Sequence, residues 1–483
     1  MKLKHLSTAM ILATLPATGV FAAALDRSGQ SMSAFFQPGN YFEAGLSVLD
    51  PTVEGHEVKE KVGRDNKIDD MAGDYFFPSA ALKLQLTDKI SFGLLYDQPY
   101  GADAKYTGDN VFVSNSNDGV LSANAIDGIV TKRAIAALEA NNIPVTEQSL
   151  AAAKAQVQGS AQFQQLAGAL NVAKNYLGSS TGSNSTQVDV DSQNLSMVFG
   201  FQPTKNFNFY AGPVLQTVKG SISLRGQAYS VYNGYDADIK ETTGTGWLAG
   251  AAYQIPEIAL KASLTYRSEI DHDVLAKEDL SLLAFPGLTN VLAGLGVDPT
   301  KLAALEADKR TKITTPQSVN LDFQTGIMAN TVAFANVRWV NWKDFSIQPY
   351  KFGELSKILG GAGLVAGKPN GFNLVEYSED QWSVNAGVGR KLNDKWAGNV
   401  SVGWDSGAGN PVTTLGPTEG YWNVGFGVQY SPTPATFISG GVKYFWLGDA
   451  DAQTGAQAGS NDYVAKFEDN KAIAYGLKMG YRF

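Results

Sequence analysis

Over residues 471–483 the chain alternates without a break between apolar positions and small or polar ones. Ile473, Tyr475, Leu477, Met479, Tyr481 and Phe483 fall on one face of an extended strand. Ala474, Gly476, Lys478, Gly480 and Arg482 fall on the other, because successive side chains of a strand point to opposite sides. The same period sets Trp422, Val424, Phe426, Val428 and Tyr430 against Asn423, Gly425, Gly427 and Gln429. It also sets Trp396, Val400, Val402 and Trp404 against Asn399, Ser401, Gly403 and Asp405. In water, apolar faces this continuous need a covering layer. In lipid they need none, provided the backbone groups pair in a closed ring. Read this way, the chain predicts about fourteen strands, at 41–51, 75–87, 90–105, 187–202, 206–226, 236–254, 257–272, 316–328, 330–347, 375–392, 395–406, 418–430, 434–449 and 463–483. The fold class expected is all-β, a transmembrane antiparallel β-barrel.

The connections carry a second signal. Short turns at 87–89, 203–205, 254–256, 393–394 and 431–433 alternate with long segments at 52–74, 106–186, 227–235, 273–315, 348–374, 407–417 and 450–462. Outer-membrane barrels have short periplasmic turns and long extracellular loops, so every long segment is expected outside and Phe483 inside. Two of the long segments read as partly helical. Residues 127–176 are rich in Ala and Gln and broken at Pro144; 280–310 carries Leu282, Leu283, Leu288, Val291 and Leu292, then Leu302 and Leu305 beyond Pro299. Solvated loops have no need of such apolar residues. The two segments are expected to pack together as a lid, with capture of hydrophobic molecules as the functional extension of that packing.

Composition narrows the class. Lys2 and Lys4 precede an apolar run at 9–20 and the small residues Ala22, Ala23 and Ala24, which marks 1–24 as a secretory signal peptide. No other stretch approaches the ~18 apolar residues of a spanning helix. A mean hydropathy of −0.13 suits a barrel whose outward apolar residues alternate with inward polar ones. With 0 Cys, disulfides, thiol nucleophiles and thiolate metal sites are excluded. The net charge of −8 opposes nucleic-acid binding. Beyond the signal the only histidines are His56 and His272, neither in a motif, so no enzyme is expected. No cofactor or metal is expected either, since Asp65, Asp69 and Asp70 lack the spacing of a calcium loop. The expected setting is the outer membrane of a Gram-negative bacterium, as a monomer among membrane lipids and lipopolysaccharide. Tyr481 and the terminal Phe483 resemble the tag that such barrels present to their assembly machinery.

Strand parity places Lys261, Thr265, Arg267 and Glu269 in the lumen, and puts Arg338 on one face with Asn336. Lumenal cations such as Arg267 and Arg338 are candidates to meet a ligand carboxylate. The stretch Asp97, Gln98, Pro99, Tyr100, Gly101 interrupts the third strand: Pro99 has no N–H for the ladder, and Gly101 permits a sharp bend.

Several segments resemble the FadL/TodX family of outer-membrane transporters of hydrophobic compounds. They are 41–55 (YFEAGLSVLDPTVEG), 195–220, 264–270 (LTYRSEI), 315–318 (TPQS) and 382–405, in order along the mature chain. The resemblance implies a fourteen-stranded barrel plugged by an N-terminal hatch, and passive transport of long-chain fatty acids or other hydrophobic compounds. It divides the chain into a hatch at 25–40 and a barrel at 41–483. It makes Arg225 and Lys351 candidate carboxylate partners, Phe35, Phe36 and Tyr100 candidate apolar contacts, and Asp97, Pro99 and Gly101 a kink that opens the wall sideways. One departure is visible: the hatch is short, and Pro38-Gly39-Asn40 only echoes the family's Asn-Pro-Ala-type segment. A general diffusion porin or a structural adhesion barrel is the alternative reading.

Overall fold

The last strand, Lys471–Arg482, pairs on one side with Thr436–Leu447 and on the other with the first strand, Tyr41–Thr52, so the sheet closes on itself. This computed structural model describes residues 25–115, 118, 121, 123–180 and 184–483; the signal segment 1–24 lies outside them. The ring holds 14 antiparallel strands. They are β1 (Tyr41–Thr52), β2 (Tyr75–Gln85), β3 (Ile90–Asp97 and Gly101–Lys105), β4 (Gln187–Phe201), β5 (Phe207–Leu224), β6 (Tyr235–Ile255) and β7 (Leu260–Arg267 and Ile270–Leu280). The second half is β8 (Arg310–Thr315 and Ser318–Met328), β9 (Thr331–Val340), β10 (Gln381–Lys391), β11 (Trp396–Asp405), β12 (Tyr421–Tyr430), β13 (Thr436–Leu447) and β14 (Lys471–Arg482).

Alternation sorts residues as the sequence requires. On β14, Leu477 is 54% exposed on the outer face while Ala474 is 1% exposed toward the lumen. Trp422, Phe426 and Val428 on β12 and Val400 and Val402 on β11 join the same outer belt. No helix among the described residues is long and apolar enough to cross a membrane.

Where the strands end, the structure corrects the sequence reading. β7 and β8 continue well past 272 and before 316, pairing from Ile270↔Thr315 to Leu275↔Arg310, so the loop between them is 281–309 rather than 273–315. The outward residues of this extension are Asp271, Asp273, Leu275, Lys277 and Asp279, four of the five charged, with ion pairs across strands at Lys312–Asp271 (2.7 Å) and Arg310–Asp273 (3.4 Å). A charged outer face reads as loop when the strand is assumed to stay in lipid. The break at Ser268 and Glu269 also shifts the parity: Glu269 is exposed instead of lumenal, and Ile270 and His272 point inward. Residues expected to lengthen β9, β10 and β14 form small loop ladders instead: Ser346–Ile347 with Val375–Glu376, and Ala465–Phe467 with Gly55–Glu57 and Ala450–Gln453.

Among the described residues the long-loop end carries five α-helices of seven residues or more, beside the single turn Lys59–Val62: α1 (Ala123–Ala140), α2 (Glu147–Gly159), α3 (Ala161–Ser180), α4 (Leu288–Gly294) and α5 (Tyr350–Gly361). Thr146 caps α2 through a reciprocal bond with Ser149. α3 packs on the β7–β8 loop, with Tyr176 and Phe285 rings 5.3 Å apart and the Tyr176 hydroxyl donating to the Ala284 carbonyl at 3.1 Å. The expected packing of the two helical segments is present.

Candidate transport path

Residues 25–40 thread the lumen from the long-loop end to Tyr41 at the short-turn end, and Asp26, Arg27, Met32 and Phe35 in this hatch are buried. The wall holds it by charge and amide contacts. Arg338 on β9 pairs through Nε with Asp26 at 2.7 Å, both side chains 3% exposed. Its Nη1 donates to Asn320 at 2.6 Å and its Nη2 to Gln30 at 3.1 Å. Arg267 donates to the Gln30 carbonyl at 3.0 Å, and Asn320 to the Gly29 carbonyl at 2.8 Å. The hatch is short, yet three neighbouring strands hold it.

The candidate carboxylate partners are therefore all engaged. Arg267 and Arg338 anchor the hatch. Arg225, just past β5, grips both carboxylate oxygens of Asp236 at 2.9 Å and donates to the Leu224 and Tyr235 carbonyls. Lys351, in the first turn of α5, pairs with Asp308 at 2.7 Å and donates to the Glu278 carbonyl. Tyr100 is buried, its ring edge-on to Trp342 at 5.5 Å.

At Pro99 the ladder is interrupted. The β2–β3 ladder runs only from Ala80↔Tyr96 to Gln85↔Ser91. Beyond it β2 continues to Tyr75 paired with β1 alone. β3 stays with β4 by inserting one extra residue, since Asp97 opposes Asn194 and Gly101 opposes Asp191. The kinked backbone turns to the hatch instead: Arg27 N–H donates to the Pro99 carbonyl at 2.6 Å and Gly101 N–H to the Leu25 carbonyl at 3.0 Å. The strands rejoin above, where Gly73 N–H donates to the Asp103 carbonyl at 3.0 Å and Lys105 N–H to the Met71 carbonyl at 2.7 Å. The result is a bounded interval in which β2 and β3 share no ladder.

A chamber lies on each side of this interval. An apolar one of about 60 Å³ near the long-loop end is lined by Leu25, Tyr75, Ala102, Val190, Ile222 and Tyr377. A larger one of about 600 Å³, toward the short turns, is bounded by hatch residues Phe35 and Phe36 and reaches Pro78, Ser79, Asp97 and Gln98 at the interval's edge.

The family model described as outer membrane protein transport protein (OMPP1/FadL/TodX) matches residues 149–483. The chain belongs to this family. It is an outer-membrane transport barrel, and FadL/TodX members are membrane channels for hydrophobic compounds. Among solved structures it is similar to a Pseudomonas aeruginosa FadL homologue, at 12% identity over 93% of this chain and 92% of that one, with a TM-score of 0.57. It is also similar to the P. putida toluene transporter TodX, at 12% identity over 93% and 91%, with a TM-score of 0.52. No curated protein matches it in sequence.

Within this FadL/TodX barrel, sequence reasoning missed Pro78. It stands on β2 across the interval from Pro99, and a proline inside a strand (YFFPSAALK) was a readable signal. It also missed Asp26, whose partner Arg338 lies 312 residues away, and Arg27, whose guanidinium lies over the Tyr75 ring.

Proposed function

We propose that the chain carries hydrophobic compounds passively across the outer membrane and releases them sideways, through the interval between β2 and β3, into the bilayer. The observation that carries this reading is the interrupted ladder opening beside the larger lumenal chamber. A ligand poorly soluble in water has a physical reason to leave through lipid, and a wall whose strands are not zipped costs no ladder hydrogen bonds to part. The hatch, wedged between the two chambers, argues against a general diffusion porin. The long loops with their packed helices would lie outside the cell and the short turns in the periplasm. The upper chamber is mostly apolar, and among the described residues its one lining cation, Arg27, lies over the Tyr75 ring, so it suits the hydrocarbon portion of long-chain fatty acids or a compact hydrophobe such as toluene. We read the chain as a channel and not a catalyst: His272 is buried, with its ring nitrogens on Gln216 (2.9 Å) and Thr242 (3.3 Å).

The test is to close the interval. Pro78→Val with Pro99→Val supplies two N–H groups and β-propensity where the strands now part. Uptake of radiolabelled toluene and decanoate by cells expressing the variant should fall at least fivefold, while barrel abundance and heat resistance hold or rise by about 1 kcal/mol. Unchanged uptake in a well-assembled variant would remove the lateral route.

A further inference from the structure

The larger chamber has a chemical asymmetry that a sideways exit alone does not need. At its short-turn end Lys261, the second residue of β7, projects into it, with its ammonium 5.4 Å from the centre of the Phe36 ring. Among the described residues it makes no hydrogen bond or salt bridge. The nearest carboxylate, Asp322 on β8, is bonded by Asn336 at 2.7 Å. Other cations of this chamber are committed. Lys83 donates to the Gln37 and Gly39 carbonyls, Lys478 pairs with Glu43 at 3.1 Å, and Arg267 holds the hatch. Two residues above Lys261 on the same face, the buried Ser263 hydroxyl also lacks a partner.

Depth gives the cation a meaning. Lys261 sits where β7 begins. The interval opens at Ser79 on β2, six residues up from the end of that strand at Gln85, which is roughly 20 Å along it. Half the hydrocarbon core of a bilayer is about 15 Å. With strands tilted as in outer-membrane barrels, that length along β2 is about 15 Å of height, so a bilayer whose inner interface lay at the short turns would set Lys261 near headgroup level and the interval among acyl chains. We propose that Lys261 is the headgroup receptor of this chamber. It binds the carboxylate of a hydrophobic acid whose tail lies along Phe36 toward the interval between β2 and β3. Such a molecule could pass sideways into the inner leaflet without lifting its charged head through hydrocarbon. The direction of release rests on the lateral route proposed above; the binding does not.

The test uses the purified full chain in maltoside detergent, with equilibrium dialysis of radiolabelled decanoate and decanol. Lys261→Met should weaken decanoate at least tenfold, as loss of a charge-assisted contact does, and leave decanol within twofold. Lys261→Arg should keep decanoate binding. Undiminished decanoate binding in Lys261→Met, or an equal loss for decanol, would overturn the assignment. So would acetate competing as well as unlabelled decanoate, which would leave a simple anion site. If Lys261→Met does not assemble into a heat-resistant barrel, Lys261→Gln puts the same question. Pro78→Val with Pro99→Val separates the two readings. Normal decanoate binding beside unchanged uptake would refute the lateral route and support the site.

Discussion

The wall from β10 to β14 and the wall from β2 to β4 are built of the same alternating strands, and only one of them is whole. β11 and β12 pair in one unbroken register from Trp396↔Tyr430 to Asp405↔Tyr421, and β13 and β14 likewise from Thr436↔Tyr481 to Trp446↔Lys471. No proline lies in β10 to β14. In the other wall Pro78 and Pro99 flank an interval without a ladder. Backbone groups in a membrane must find partners inside the protein. The difference between the walls shows where they go: the Pro99 carbonyl and the Gly101 N–H are taken up by the hatch. The plug is thus part of the hydrogen bonding of the broken wall.

The comparison is broken most severely through the plug. Arg338→Met leaves Asp26 buried and unpaired, which costs about 3–5 kcal/mol of docking. Protease cleavage within 25–40 and entry of small polar solutes should both rise, while the β10–β14 wall stays heat-resistant. Asp26→Asn combined with Arg338→Met should recover part of the loss. A hatch as protected in Arg338→Met as in the parent would show that the pair does not hold it.

A smaller effect is expected on the intact wall. Leu477→Arg, on the outer belt near mid-strand, should destabilise the barrel by about 2–4 kcal/mol in urea unfolding. Asn385→Arg, which faces the larger chamber, should cost under about 1 kcal/mol. Equal losses at Leu477 and Asn385 would erase the distinction between lipid and lumen.

The smallest effect lies at the rim of the intact wall. Glu419, in the loop between β11 and β12, accepts from Gly409 N–H at 3.0 Å, and burial pushes its carboxyl up to about 7. The folded loop holds the proton more tightly than the unfolded chain. Its stability should therefore be greatest below about pH 4.5, decline as the pH rises toward 7, and stay level above. Cleavage of 406–420 should be faster at pH 8 than at pH 5, and Glu419→Gln should flatten that slope. A parent loop with no such slope would contradict the assignment.

The intact wall was legible in the sequence because each strand carries its own period-two record, and the alternation of long and short connections fixed which end was which. The interruption at Pro99 was legible for the same local reason. The roles of the cations were not. Arg225 finds Asp236 across a hairpin, Lys351 finds Asp308 on another loop, and Arg338 finds Asp26 across the lumen. Parity says which way a side chain points and says nothing of what meets it there. The extension of β7 and β8 was misread because its outer face is charged, a pattern that marks the end of lipid and not the end of a strand.

The seam of the ring joins β1 to β14 through paired residues from Tyr41↔Arg482 to Thr52↔Lys471, the two most distant strands of the barrel. Without β14 this ring lacks the strand that closes it. Until the final strand arrives, β1 offers one bare edge and β13 the other, each seeking hydrogen bonds that a bilayer cannot supply. The hatch precedes β1 and hangs from it at the short-turn end, while its anchors Arg267, Asn320 and Arg338 belong to β7, β8 and β9. The segment can thus be seated on half a cylinder and walled in as the other half is added, so that it need never be threaded through a finished pore.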